Sequence, residues 1–268
     1  MSVKQVLIFD SGVGGLSVFA QVLKVNPNIS YSYLFDNAYF PYGELDHDFL
    51  IQRITRLLVS FSEKQPVDLI VIACNSASTA ALQALRARFS IPIVGVVPAI
   101  KPAAGMTKNG VIGLLATPAT VNRTYTQELI TQFAVSAQVL KIGSTELVKL
   151  AEQKLQGATV DKKQLQIILQ PWLSLKEKPD TLVLGCTHFP LLKKEIAACF
   201  DNEVNLVDSG KAIAKRVNQL LGHNRAFDAI SQHQAYYTKS FSSSKQHTAL
   251  QSSFRNYGFT ALKFYPQG

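Results

Sequence analysis

What this sequence lacks narrows it first. No apolar run reaches the ~18 residues that a helical membrane span requires. There are three cysteines in 268 residues, an odd number and widely spaced. That argues against a disulfide framework and for a reducing cytoplasm. Charged residues make up 17% and hydrophobic residues 47%, the balance of a folded chain with an ample core. No low-complexity linker interrupts it. The N-terminus, MSVKQVLIFDSG, runs straight into a strand pattern that carries Asp10, so it reads as the start of a fold and not as a signal peptide. The length suits two compact domains or one large one.

Acidic residues are also scarce at one end. From Lys211 to the C-terminus, eight cations (Lys211, Lys215, Arg216, Arg225, Lys239, Lys245, Arg255 and Lys263) face Asp228 alone, so this segment carries +7 of the net +9. Nucleic-acid binding is one reading of such a bias. These charges are spread over 53 positions, with no stacking-aromatic motif and no continuous basic stripe. No nucleic-acid or membrane partner is therefore expected. The charge reads as a solvated basic face that can draw in a small anionic substrate.

What is present is alternation. Short β-branched runs occur at 6–10, 31–36, 68–74, 91–97, 111–116, 137–142, 181–186 and 204–208, with amphipathic stretches at 47–64, 76–89, 119–133 and 160–175. Strands separated by helices imply crossovers and a mainly parallel sheet. Ligands of such sheets bind beyond the carboxyl ends of the strands. A weak duplication is visible as well. Cys74 comes 64 positions after Asp10, and Cys186 comes 69 after Thr117, each pair lying at the ends of strand patterns. The expected fold is α/β: two similar domains with mainly parallel sheets, related by pseudo-twofold symmetry, with the active site in the cleft between them. The boundaries fall at 1–97 plus 208–268 for the first domain and 98–207 for the second.

Two cysteines hold the chemistry. Cys74 in VIACNSAST and Cys186 in LVLGCTHFPLL each follow an apolar run and precede small hydroxylic residues suited to a helix start. A thiol there sees the positive end of the helix, which favours its thiolate. The bland alternative, an inert core thiol, fits Cys199 in KKEIAACF, which has no polar company. One thiol from each half suggests proton transfer on both faces of a carbon. A thiol with pKa near ~8.5 is a weak base toward an amino-acid α-carbon. The site must therefore stabilise an enediolate-like transition state with fixed donors. Asn75, Ser76 and Thr187 are suitable groups for gripping a carboxylate.

The turn FDSGVGGLS resembles a dinucleotide fingerprint, with Asp36 ending the next strand, but Ser17 stands where the third glycine belongs. Asp10, just before the loop, would repel a pyrophosphate and suits an ammonium group instead. The structural alternative is a tight turn with Asp10 as its cap. His188 could be a metal ligand, a helix cap or a proton relay. Zinc needs at least three ligands, and no suitable spacing supplies them, so a thiol partner fits best.

With these residues in view, the sequence resembles the glutamate racemases of the cofactor-independent amino-acid racemase superfamily. The resemblance rests on FDSGVGGLS (9–17), FDNAYFPYGE (35–44), VIACNSAST (71–79), GVVPAI (95–100), IGLLATPAT (112–120), LVLGCTHFPLL (182–192) and VDSG (207–210). It implies interconversion of L- and D-glutamate for bacterial peptidoglycan, without PLP or metal. It implies Cys74 and Cys186 as the acid/base pair, with Asp10, Glu152 and His188 assisting. Asp10, Ser11, Tyr42, Gly43, Asn75, Ser76, Thr187 and His188 would bind glutamate. Ser76 replaces the threonine common in the family and keeps its hydroxyl. Glu152, in the helix-like KLAEQK, also suits a solvated face.

With five residues before Val6, the N-terminal activator-binding extension of some relatives is not visible in this sequence. Homodimers are common in the family, and no patch here selects a dimer face. Racemisation of aspartate or another small amino acid on the same fold is the runner-up, with Pro41-Tyr42-Gly43 and His188 favouring glutamate. A ligand-binding module without turnover would not need both cysteines.

Overall fold

The computed structural model describes residues 3–155, 157–222 and 232–266. Arg225 and Asp228 of the basic segment lie outside the described residues. In chain order the elements begin with β1 (Gln5–Asp10), α1 (Leu16–Val25), β2 (Ser30–Phe35), α2 (His47–Lys64), β3 (Leu69–Ile72), α3 (Asn75–Arg88) and β4 (Ile93–Gly95). They continue with α4 (Ile100–Met106), β5 (Val111–Ala116), α5 (Pro118–Asn122), α6 (Thr124–Phe133), β6 (Gln138–Gly143), α7 (Glu146–Leu155), α8 (Lys162–Leu173), β7 (Thr181–Gly185), α9 (Lys193–Cys199) and β8 (Asn205–Val207). The last are α10 (Gly210–Leu221), β9 (His233–Tyr237), α11 (Ser244–Asn256) and β10 (Ala261–Phe264). Short 3-10 turns cover Tyr42–Glu44 and Phe189–Leu192.

The chain forms two compact units, one of residues 1–96 with 210–268 and one of 97–209. The sequence drew these boundaries at 97/98 and 207/208. Ser209 stays with the second unit because its hydroxyl donates to the Val97 carbonyl at 2.5 Å.

Each unit is built on a wholly parallel sheet. The first has strand order β10-β9-β2-β1-β3-β4, and the second β6-β5-β7-β8. The four strands β2-β1-β3-β4 repeat the order of β6-β5-β7-β8, so the duplication seen in the sequence is a duplication of topology. In both, the cysteine follows the strand beside the one that ends in a polar turn.

Residues Leu7, Phe9, Ile70 and Ile72 face Leu50, Ile54, Leu57 and Phe61 of α2, the apolar stripe that a 3.6-residue period produces. Asp46 caps that helix by accepting from the Asp48 and Phe49 amides at 3.0 Å. The first sheet also carries an aromatic cluster of Phe19, Tyr31, Tyr33, Phe254 and Phe259. In the second unit, Ile112, Leu114 and Val183 pack on Ile100 and Ala103 of α4.

Three details differ from the sequence reading. The single helix expected at 119–133 is two helices, because Arg123 adopts an extended conformation and the Thr126 hydroxyl takes the Thr120 carbonyl at 2.7 Å. Strands β9 and β10 were not foreseen, since HQAYY and ALKF are short: HQAYY opens on two polar residues, and ALKF has a single buried position, Leu262. All seven described cations of the basic segment are exposed, on or beside α10, α11, β9 and β10. Among the described residues, no helix is long and apolar enough to cross a membrane.

Candidate active site

In the first unit, the functional side chains gather at the carboxyl ends of β1, β2 and β3. Asp10 ends β1 and is fully buried. Its Oδ1 accepts from the Gly12 amide at 2.8 Å, which folds the turn back over the strand end. Gly15 must be glycine here: an added Cβ would meet the Tyr33 hydroxyl at 2.6 Å and Asp10 Cβ at 2.9 Å. Packing against the strand end, not phosphate binding, therefore accounts for that glycine.

Cys74 is buried and stands at the N-cap of α3, a helix of 14 residues. The Ala77 amide donates to its Sγ at 3.5 Å, and Ser11 Oγ lies 3.6 Å from the same sulfur. The sulfur thus occupies the place of a capping oxygen, where backbone donors and the helix dipole favour negative charge. Asn75 and Ser76 begin the helix and are buried. The Asn75 side-chain amide nitrogen is buried with no hydrogen-bond partner among the described residues, a state that a native fold rarely tolerates without a ligand or water to fill it.

Tyr42 and Gly43 lie in the 3-10 turn after β2. The Tyr42 hydroxyl donates to Asp36 Oδ2 at 2.7 Å. Burial, the Asp36 charge and that bond keep the phenol protonated far above its ordinary range. Asp36 is also held by Arg53, through Nε at 2.8 Å and Nη2 at 2.9 Å, and by the Thr238 hydroxyl at 2.5 Å. The sequence reading had not joined these residues to the site. One signal was available: Arg53 falls on the apolar stripe of α2, between Leu50 and Ile54, where a cation needs a buried partner.

In the second unit, Cys186, Thr187 and His188 follow β7 and are all buried. The junction differs from that of Cys74. A 3-10 turn, not an α-helix, begins at Phe189, and its N-cap is His188 rather than Thr187, without a side-chain capping bond. The helix-dipole support expected for Cys186 is therefore replaced by a side chain. His188 Nδ1 lies 3.8 Å from Cys186 Sγ, and His188 Nε2 lies 2.6 Å from Glu152 Oε1. Burial opposes charge on this imidazole, but hydrogen bonds to Cys186 and Glu152 and the charges of both prevail, so its pKa stands well above the usual value. Glu152 reaches it from α7, with a side chain only 19% exposed, not from a solvated face.

Cys199 lies on α9 at the edge of the core, and burial pushes its thiol up. That suits the inert role read from its sequence context. Among the described residues, no group of three or more His, Cys, Asp or Glu is placed to hold a metal ion.

Against known proteins, residues 26–217 match the model of the Asp/Glu/hydantoin racemase family. The glutamate racemase of Photorhabdus laumondii is 49% identical over 258 residues, 96% of this chain and 89% of that protein. The chain belongs to the glutamate racemase family. The solved structure of Escherichia coli glutamate racemase, in complex with L-glutamate and the activator UDP-MurNAc-Ala, superposes with a TM-score of 0.92 at 46% identity, covering 99% of each chain. Glutamate racemase isoform RacE1 from Bacillus anthracis gives 0.80 at 28% identity, covering 97% of this chain and 96% of that one. In this racemase the residues expected from the sequence fall into two groups. Asp10, Ser11, Tyr42, Gly43, Cys74, Asn75 and Ser76 lie in the first unit, and Glu152, Cys186, Thr187 and His188 in the second.

Proposed function

We propose that this chain interconverts L- and D-glutamate without a cofactor, with Cys74 and Cys186 as the two acid/base groups. The observation that carries the reading is the environment of the two sulfurs. Each unit has a buried thiol at the carboxyl end of a parallel strand, and each thiol has polar partners of its own. For Cys74 these are the Ala77 amide of α3 and the Ser11 hydroxyl; for Cys186 the partner is His188, backed by Glu152.

One thiolate takes the α-proton, so the Cα–H bond breaks and its electron pair passes into the carboxylate as an enediolate. The opposite thiol then gives its proton to the other face of the same carbon. After turnover the pair holds one proton as before, with the roles of the thiols exchanged. A thiol is a weak base for this proton, so most of the catalysis falls to fixed donors around the enediolate. The unpartnered Asn75 amide, the Ser11, Ser76 and Thr187 hydroxyls and nearby backbone amides suit the α-carboxylate. The Asp10 carboxylate suits the ammonium group.

The glutamate racemases that this chain resembles, its two cysteine motifs and the polar residues around them support glutamate as the substrate here. The enzyme would act in the cytoplasm and supply D-glutamate for peptidoglycan, which governs cell shape. The test is polarimetric: purified protein without added PLP should abolish the circular-dichroism signal of L-glutamate. L-aspartate under the same conditions should lose its signal far more slowly. Faster loss with aspartate would reassign the substrate and leave the two-thiol chemistry intact.

A further inference from the structure

The His188–Glu152 contact depends on where α7 lies, and one side chain of that helix is committed to holding it there. We propose that Lys154 is a positioning residue for racemisation: it fixes α7 to the turn that follows His188 and so keeps Glu152 on the imidazole. The inference rests on the reading above, in which His188 supports Cys186.

Lys154 Nζ donates to the Leu191 carbonyl at 2.8 Å and to Glu195 Oε1 at 2.6 Å. The Leu191 amide in turn donates to the His188 carbonyl at 3.1 Å. The backbone that bears the imidazole and the helix that bears its carboxylate are thus tied twice, once through Glu152 and once through Lys154. Residues two apart on a helix point in different directions, so Lys154 is not placed to neutralise Glu152. Its charge is met by Glu195 of α9. Lys154 also stands in the last turn of α7, where a cation complements the helix dipole. His188 meets Cys186 and Glu152, and the charged pair beside them is Lys154 with Glu195.

A lysine that only stabilised the fold would change the melting temperature and nothing else. The test therefore compares kcat, KM and the pH profile of kcat for Lys154→Met, Lys154→Arg, Glu152→Gln and, as a surface control, Lys141→Met. A small displacement of Glu152 is costly in rate, so Lys154→Met should lower kcat about tenfold with KM changed less than about twofold. The alkaline limb, which follows deprotonation of His188, should move to lower pH in Lys154→Met as in Glu152→Gln. Lys154→Arg, able to reach the same two oxygens, should restore both, and Lys141→Met should match the wild type.

Should Glu152→Gln shift the limb while Lys154→Met keeps wild-type kcat and pH profile, with or without a lower melting temperature, the role of Lys154 is refuted and the reading of the site stands. If neither variant moves the limb, the His188–Glu152 support of Cys186 is refuted, and the role of Lys154 with it.

Discussion

Tyr42 gives its hydroxyl to Asp36 at 2.7 Å, and that carboxylate is fully buried. The phenol is thus part of the scaffold. Under the proposed function, what the turn at Tyr42 and Gly43 would offer a substrate is backbone, held in place by the buried side chain. Tyr42→Phe should therefore keep KM for glutamate within about threefold while lowering stability by about 1–3 kcal/mol, the cost of removing one donor from a buried acceptor. Urea denaturation and steady-state kinetics on the same preparation check this. A large rise in KM with unchanged stability would return the hydroxyl to the substrate.

The Asp36–Arg53 pair makes a sharper demand on stability. Both side chains are buried, at 0% and 8% exposure, and the contact is bidentate. Arg53→Met preserves much of the hydrocarbon stem but strands the carboxylate, and should cost about 3–5 kcal/mol in denaturant unfolding. Removing Thr238, which supplies one hydroxyl among several donors, should cost about 1–3 kcal/mol, less than the loss of Arg53.

His188 should give the enzyme an alkaline limit. Its folded pKa is raised, by Cys186 and Glu152 acting against burial, so the protonated form is stabilised in the fold. That contribution to stability is complete below the unfolded value near ~6.5 and is lost as pH rises through the higher folded value. His188→Asn should flatten this alkaline loss in melting experiments and lower racemisation by about two orders of magnitude, the scale of a lost acid/base partner.

His233 should act in the opposite sense at acid pH. Its ring packs against Phe19, Tyr31 and Phe259, and Nδ1 is buried without a partner among the described residues. Burial lowers its pKa, outweighing a bond with the Gln232 backbone. The unfolded chain therefore takes up a proton near pH ~6.5 that the folded chain refuses, and stability falls as pH drops from there toward the folded value. His233→Phe should remove that part of the acid dependence. An unchanged slope between pH 7 and pH 5, read by thermal melts at about half-unit steps, would contradict it.

Much of this was legible in the sequence because apolar periodicity reports burial directly. The eight runs that became β1 to β8 are fed by local β-branched composition, and Cys74 and Cys186 could be placed at strand ends from the residues that flank them. What escaped depended on contacts distant in sequence. Asp36 was visible as a strand-end acid, yet its partners lie 17 positions away in α2 and 202 positions away at Thr238. Glu152 sits on an ordinary amphipathic pattern, and only the placement of α7 against the turn after β7 gives it to His188. The two cysteine junctions looked alike because both carry small polar residues. The 3-10 turn after His188 separates them, leaving one sulfur to a helix amide and a serine hydroxyl and the other to an imidazole.

The central claim is that two thiols exchange protons with one carbon, and isotope incorporation tests it most directly. In heavy water, L-glutamate should yield D-glutamate carrying deuterium at the α-carbon from the first turnovers. Cys74→Ala and Cys186→Ala, each folded by far-ultraviolet circular dichroism, should each lose racemisation by about a thousandfold or more. D-glutamate that retains its original α-hydrogen, or a wild-type rate in either single variant, would contradict the account.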